Sequence, residues 1–317
     1  MARIIAIANQ KGGVGKTTTS VNLAAALALA PKRVLLVDLD AQGNATMGSG
    51  IDKRELAGST CDVILEERYA VDVIVPASEG FDLMPGNSDL TAAEIELMDE
   101  PGREQRLRRA LEPLRERYDF ILVDCPPALS LLTLNALTAA DSILVPMQCE
   151  YYALEGLSAL LQTIDALKAK LNPALEIEGV LRTMFDVRNN LANAVSADLT
   201  AHFGDKVFRT IIPRNVRLAE APSHGLSIVG YDKGSRGAIA YLGLAGEIIR
   251  HQRERAQKAD PGSARTLTSE IRARPLRRSR VASAAAWKPC SAPRPPLRRP
   301  CWKPRPPTRC GCCRSTR

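Results

Sequence analysis

The residues with the most chemistry in this chain lie near its start. Gln10-Lys11-Gly12-Gly13-Val14-Gly15-Lys16-Thr17-Thr18 sets three glycines between two lysines and closes on paired threonines. Glycines let a backbone turn tightly and come close to an anion, so Gly12 through Thr18 could offer their amides to phosphate oxygens. Lys16 is placed to reach terminal phosphates, and Thr17 carries a hydroxyl of the kind that holds Mg²⁺. Two acidic stretches complete the set. Asp38-Leu39-Asp40 precedes a polar loop, Ala41-Gln42-Gly43-Asn44-Ala45-Thr46, and Asp124 closes the run Phe120-Ile121-Leu122-Val123. A carboxylate beside a phosphate cradle holds Mg²⁺ directly or through water, and a loop beside the cradle can sense the terminal phosphate. Cys125, next to Asp124, reads as a small buried hydrophobe rather than a reactive thiol.

Such groups act together only if the fold brings them together, and the flanking patterns say how. Ile4-Ile5-Ala6-Ile7-Ala8 reads as a short buried strand, and Ser20 to Leu27 reads as a helix of good formers. Strand, glycine turn and helix N-terminus together place free N–H groups and the positive end of a helix dipole on one anion. Apolar strands are expected at 34–40, 81–86, 118–124, 142–147, 178–185 and 206–208. Helices are expected around 62–65, 88–117 (broken at Pro101-Gly102), 154–171, 191–203 and 237–258, the last with Ile239, Leu242, Ile248 and Ile249 facing inward. Alternating strands and helices predict an α/β fold, a doubly wound, mostly parallel sheet with helices on both faces and the ligand at the strands' carboxyl ends. Six arginines between 103 and 117 spread around their helix and read as a solvated face. His224 has no acidic or cysteine neighbours at ligand spacing and reads as structural.

The glycine loop departs from two common patterns. Gln10 stands where the ordinary P-loop has a glycine, and Thr18 stands where the dinucleotide pattern needs its third glycine. With Lys11 added, Lys-Gly-Gly-Val-Gly-Lys-Thr-Thr resembles the deviant P-loop (deviant Walker A) of the ParA/MinD family of ATPases. The longer run from Ala8 to Leu23 resembles the partitioning branch, ParA/Soj. Asp-Leu-Asp-x-Gln-Gly-Asn-Ala also resembles this branch, with Ala41 where the family usually has proline. Two later stretches, 178–189 and 211–225, look like partitioning-family signatures, so the resemblance covers about residues 1–255.

That resemblance implies an ATPase using ATP and Mg²⁺. Lys16 and the loop amides would hold the β- and γ-phosphates, Thr17 and Asp124 would manage Mg²⁺, and Asp40 would position or activate the attacking water. Lys11 would reach across an ATP-sandwich homodimer to the partner's phosphates. Met184, Pro213 and Asn215 would border the adenine, while Arg188 and Arg217 match positions carrying nonspecific DNA contacts. A ParB-type centromere-binding protein would stimulate hydrolysis, and the protein would be cytoplasmic and nucleoid-associated. Two other readings stay open. One is a MinD-like membrane-cycling ATPase, although residues 237–258 lack the Lys-rich apolar targeting end that MinD carries. The other is a nucleotide-gated DNA-binding or regulatory module with negligible hydrolysis.

Charge divides the chain in two. The net charge is +8 over 317 residues, yet 261–317 carry thirteen Arg and two Lys against Glu270, a net of +14, which leaves residues 1–260 at −6. Residues 176–258 hold twelve basic and nine acidic side chains, so a phosphate-contacting face is expected there and not in the acidic first part. Only Cys61, Cys125 and Cys149 precede residue 260, which fits a reducing compartment. No apolar run approaches the ~20 residues of a membrane span, and the N-terminus enters a strand at once, leaving no room for a leader. The expected domains are therefore a P-loop ATPase over 1–258 and an Arg/Pro/Cys-rich tail over 259–317 that cannot build a core. That tail reads either as a basic nucleic-acid-binding arm or as an aberrant read-through extension.

Overall fold

The structure is a computed structural model that describes residues 1–259, Tyr152 excepted; the expectations for the tail lie outside the described residues. Among the described residues eight strands and twelve α-helices follow one another: β1 Arg3–Ile7, α1 Lys16–Leu29, β2 Val34–Asp38, α2 Asn44–Gly48, α3 Thr60–Ile64, α4 Ala70–Val73, β3 Val75–Pro76, β4 Asp82–Met84, α5 Leu90–Glu96 and α6 Arg106–Leu111. They continue as β5 Phe120–Asp124, α7 Leu131–Ala139, β6 Ser142–Gln148, α8 Ala153–Lys170, β7 Glu176–Phe185, α9 Asn190–Phe203, β8 Val207–Pro213, α10 Val216–Glu220, α11 Ile228–Tyr231 and α12 Arg236–Ala259. The sheet order is β3-β4-β2-β5-β1-β6-β7-β8, parallel throughout except for the β3–β4 pair. The doubly wound α/β sheet read from the sequence is the observed one.

Strand periodicity sorts the core into two layers. Ile4 and Ala6 of β1, with Leu35 and Val37 of β2, pack under α6, α7, α8 and α9. Ile5 and Ile7, with Leu36 and Leu122, pack under α1, α11 and α12. Both faces are covered, so the central strands are apolar along their middles and polar only at their ends, as in Arg3, Asp38 and Asp124. β1 lies between β5 and β6, and Ile7, Asp124 and Asp38 stand abreast at the carboxyl ends of β1, β5 and β2.

Three expectations are corrected. Ile239 does not face inward: it is 61% exposed, while Tyr241, Leu244 and Ile248 make the buried stripe of α12. The arginine cluster is not uniformly solvated either. The Arg106 side chain is 10% exposed and paired with Glu66 and Glu100, and Arg115 is 16% exposed and bonded to Asp141. Finally, β8 is one strand running to Pro213 and not a short piece at 206–208. Its amides at Arg209 and Thr210 donate to the Glu247 carboxylate of α12, at 3.0 and 2.7 Å, which satisfies an otherwise open sheet edge. None of the described helices is long and apolar enough to cross a membrane.

Candidate active site

The loop between β1 and α1 is pinned at its entry. The Asn9 side chain donates to the Pro146 carbonyl (2.8 Å) and accepts from the Lys11 amide (3.0 Å), tying the loop to β6. Gly13 and Gly15 then take φ of +70° and +88°, the left-handed region that a side chain resists. Gly15 directly precedes α1, and no side chain caps that helix. The first-turn amides of a fourteen-residue helix are thus left for a ligand. They open into a cleft of about 730 Å³ at the carboxyl ends of the strands. Lys16 is 7% exposed within it and donates to the Lys11 carbonyl at 3.3 Å. Burial lowers the Lys16 pKa, while the nearby Asp124, Cys125 and Asp40 oppose the shift.

Asp40 lines the cleft, and two further carboxyls are buried at the adjoining strand ends. Asp124 is fully buried; its Oδ1 accepts from the Ser20 hydroxyl at 2.7 Å, and its Oδ2 has no hydrogen-bond partner among the described residues. Asp38, beside it in register, is equally buried. Its Oδ2 takes the Thr46 amide (2.8 Å) and hydroxyl (2.7 Å), and its Oδ1 takes the Asp40 amide (3.2 Å). Both pKa values are raised, first by burial. For Asp124 the charge of Asp38 adds to that, against the hydroxyls of Ser20 and Thr17. Two adjoining buried carboxyls with one bare oxygen suit a divalent cation, because burial penalises them only while their charge is uncompensated. The residues therefore fit Mg²⁺, and Thr17 and Asp124 are the groups that would hold it. Asp40 sits on the cleft wall, and its Oδ1 accepts from the Gln42 amide at 3.0 Å.

The far wall comes from β7, β8 and α12. Met184, Pro213 and Asn215 all line the cleft, as does Thr183, whose hydroxyl donates to the Val14 carbonyl at 2.8 Å and ties β7 to the glycine loop. Met184 has φ of +48°, unusual for a residue with a side chain, and Asn215 accepts from the Arg217 amide at 2.9 Å to start α10. Tyr241 forms part of the same wall, its hydroxyl 3.3 Å from that of Thr19 on α1.

The cleft thus gathers Gly12, Gly13, Gly15, Lys16, Thr17, Thr18, Asp40, Met184, Pro213 and Asn215. It does not gather the rest: Asp124 is fully buried and is not among the lining residues. The Val14 side chain is buried in the core. Lys11 faces away, 44% exposed and paired with Glu150. Arg188, 86% exposed, is bonded to Asp186 at 2.8 Å, and Arg217, 58% exposed, to Glu220 at 3.0 Å. Sequence reasoning missed Thr183 and Tyr241, which line the cleft, and Asp38, which is buried beside Asp124. Asp38 was visible as the first acid of its pair, whereas Tyr241 in an amphipathic helix looks like any core aromatic.

Comparisons with known proteins agree with this geometry. A family model described as an AAA domain matches residues 2–177. The sporulation initiation inhibitor protein Soj of Bacillus subtilis is 55% identical over 249 residues, 78% of this chain and 98% of Soj. The chromosome partitioning protein ParA of Myxococcus xanthus is 52% identical over 251 residues, 79% of this chain and 89% of ParA. Among solved structures, a cobyrinic acid a,c-diamide synthase from Mycobacterium smegmatis with bound ATP analog and magnesium superposes with a TM-score of 0.71 at 39% identity, covering 80% of this chain and 96% of that one. At these identities and coverages the chain belongs to the ParA/Soj branch of the ParA/MinD family of P-loop ATPases.

Proposed function

We propose that this ATPase is a partitioning switch whose ATP-bound form is a dimer, binds DNA without sequence preference, and hydrolyses ATP when a ParB-type partner stimulates it. The observation that carries this reading is the opposite placement of two lysines on one loop. Lys16 lies inside the cleft, and Lys11 lies outside it on exposed surface. An exposed cation outside its own cleft supports a role toward a neighbouring subunit. Relatives named chromosome partitioning protein ParA supply the biological setting.

In this reading Gly12 to Thr18 and Lys16 hold the β- and γ-phosphates, and Met184, Pro213 and Asn215 border the adenine. Thr17 and Asp124 hold Mg²⁺, which neutralises phosphate charge when bound. Asp40 orients the attacking water, which displaces ADP from the γ-phosphorus and leaves inorganic phosphate. Lys11 of the second subunit stabilises charge on the transferring group, so hydrolysis waits for dimerisation. Arg188 and Arg217 touch DNA phosphates, exchanging their carboxylate partners for the strand, and dimer loss after hydrolysis releases it. The protein then works in the cytoplasm on the nucleoid. Replacing Lys11→Ala tests this reading by steady-state ATPase with DNA and the partner. Stimulated turnover is expected to fall about 10³-fold, the scale of a trans-acting cation, with ATP binding retained. Wild-type stimulated turnover in that variant rejects the trans role.

A further inference from the structure

Beyond the nucleotide cleft, a second concavity of about 700 Å³ lies between the turn after β7, the end of β8 and the first turn of α12. Three guanidinium groups line it: Arg188, Arg214 and Arg236, against one carboxylate, Asp186. Arg188 is already chelated by that Asp186, at 3.0 and 2.8 Å. Arg214 and Arg236 are exposed, and neither side chain is hydrogen-bonded to a described residue, although the Arg214 charge helps to lower the Asp186 pKa. Arg236 is also the first residue of a 24-residue helix, where the helix dipole favours an anion. Apolar Ile239, 61% exposed, and Val187, 68% exposed, flank the charged groups.

We propose that this groove is a seat for consecutive phosphates of one DNA strand, held chiefly by Arg214 and Arg236. The proposal rests on the DNA-binding reading above and adds residues to it. Guanidiniums with no hydrogen-bonded carboxylate, set along a groove, match the charge of a polyanion. The exposed aliphatic groups beside them suit the sugar faces between phosphates. Arg188 joins only when Asp186 lets go, so it strengthens a contact the other two have started. Pro213 and Arg214 also line the nucleotide cleft. One turn thus borders both sites, which puts strand capture under the influence of the nucleotide.

Arg236 is the clean probe because it lies in the groove and not in the nucleotide cleft. The experiment is fluorescence anisotropy of the full chain, with Mg²⁺ and a slowly hydrolysed ATP analogue, on a random-sequence duplex across a salt series. Arg236→Ala is expected to weaken binding several-fold at fixed salt and to reduce the salt slope by about 0.9, the signature of one lost phosphate contact. Arg236→Lys should restore most of the slope and less of the affinity. Circular dichroism confirms that the helix remains. If wild type itself fails to bind DNA, the underlying reading falls. If wild type binds and Arg236→Ala keeps its affinity and slope, the groove is overturned while the DNA reading stands. An Arg236→Ala protein with wild-type DNA binding and no response to the ParB-type partner overturns it as well, and makes the groove a protein-docking site.

Discussion

Two buried carboxylates sit at opposite ends of the same sheet and behave in opposite ways. Asp124, at the carboxyl end of β5, is fully buried with one oxygen bare, and its pKa is raised. Glu178, near the start of β7, has a side chain only 1% exposed, yet its pKa is driven down to about 2. Burial pushes Glu178 upward too, but donors outweigh it. Arg255 Nη1 lies 2.8 Å from both oxygens, the Ser142 hydroxyl is at 2.8 Å, Arg3 is at 3.3 Å and His251 is 3.6 Å away. What separates the two groups is partner supply, not depth. A carboxylate given every donor it can use holds the fold together, clamping α12 to the sheet's lower edge. One left with a bare oxygen carries an unmet burial cost that a cation would relieve. The upper edge was built for a ligand and the lower edge for itself.

Asp124→Asn is the strongest way to break this contrast. Removing the charge that Mg²⁺ must meet should lower ATP hydrolysis by at least ~100-fold, about 3 kcal/mol of transition-state stabilisation. The same change removes repulsion with Asp38, so the nucleotide-free protein should melt higher than wild type, by a few degrees. Scanning calorimetry alongside an ATPase assay reads both, and a lower Tm in the absence of nucleotide would show that Asp124 is structural after all.

Glu178→Gln should do the reverse. A pKa lowered from 4.5 to about 2 stabilises the fold by about 3 kcal/mol above the ordinary glutamate range. The sign follows from proton counting. Below pH 4.5 the unfolded chain takes up a proton that native Glu178 refuses, so this stability is lost as pH falls towards 2. Glu178→Gln should therefore cost about 3 kcal/mol at pH 7 and lower Tm by roughly 5–10 °C. Turnover per folded molecule should stay near wild type, because the sheet's upper edge is untouched. A wild-type melting temperature would mean that the clamp contributes nothing.

How much of this was legible in sequence follows the same divide. The upper edge could be read because ligand chemistry restricts residue type: Lys16 and Thr17 open α1 after a glycine turn, and Asp40 and Asp124 stand at or just past strand ends. The lower edge could not. Glu178, Arg255 and Ser142 are far apart in sequence, and nothing local marks them as one cluster. The same limit hid Arg106 and Arg115, which look like any exposed helix arginine until Glu66 and Asp141 are brought near. Ile239 misled because an apolar residue at a near-helical interval was taken for core, although the α12 stripe runs through Tyr241, Leu244 and Ile248. β8 looked interrupted because Arg209 and Thr210 are polar, and the side chain that satisfies them, Glu247, lies 37 residues or more away. β3 is two residues long, too short for any periodicity to register.

Between the two extremes stands Glu150, a carboxylate that is neither bare nor clamped. It pairs with Lys11, and both side chains are close to half exposed, at 47% and 44%. Such a pair contributes no more than ~1 kcal/mol and often less, since water competes for both partners. Glu150→Gln should therefore move stability by under ~0.5 kcal/mol, far less than either buried substitution. Its effect should appear in kinetics. If Lys11 acts on a second subunit, Glu150 competes with that subunit's phosphates for it, and losing the competitor should raise turnover about twofold at protein concentrations too low to saturate the dimer. The gain should vanish once dimers are saturated. A gain of the same size at every protein concentration would place Lys11 in its own subunit's chemistry, and Glu150 would then be ordinary surface charge.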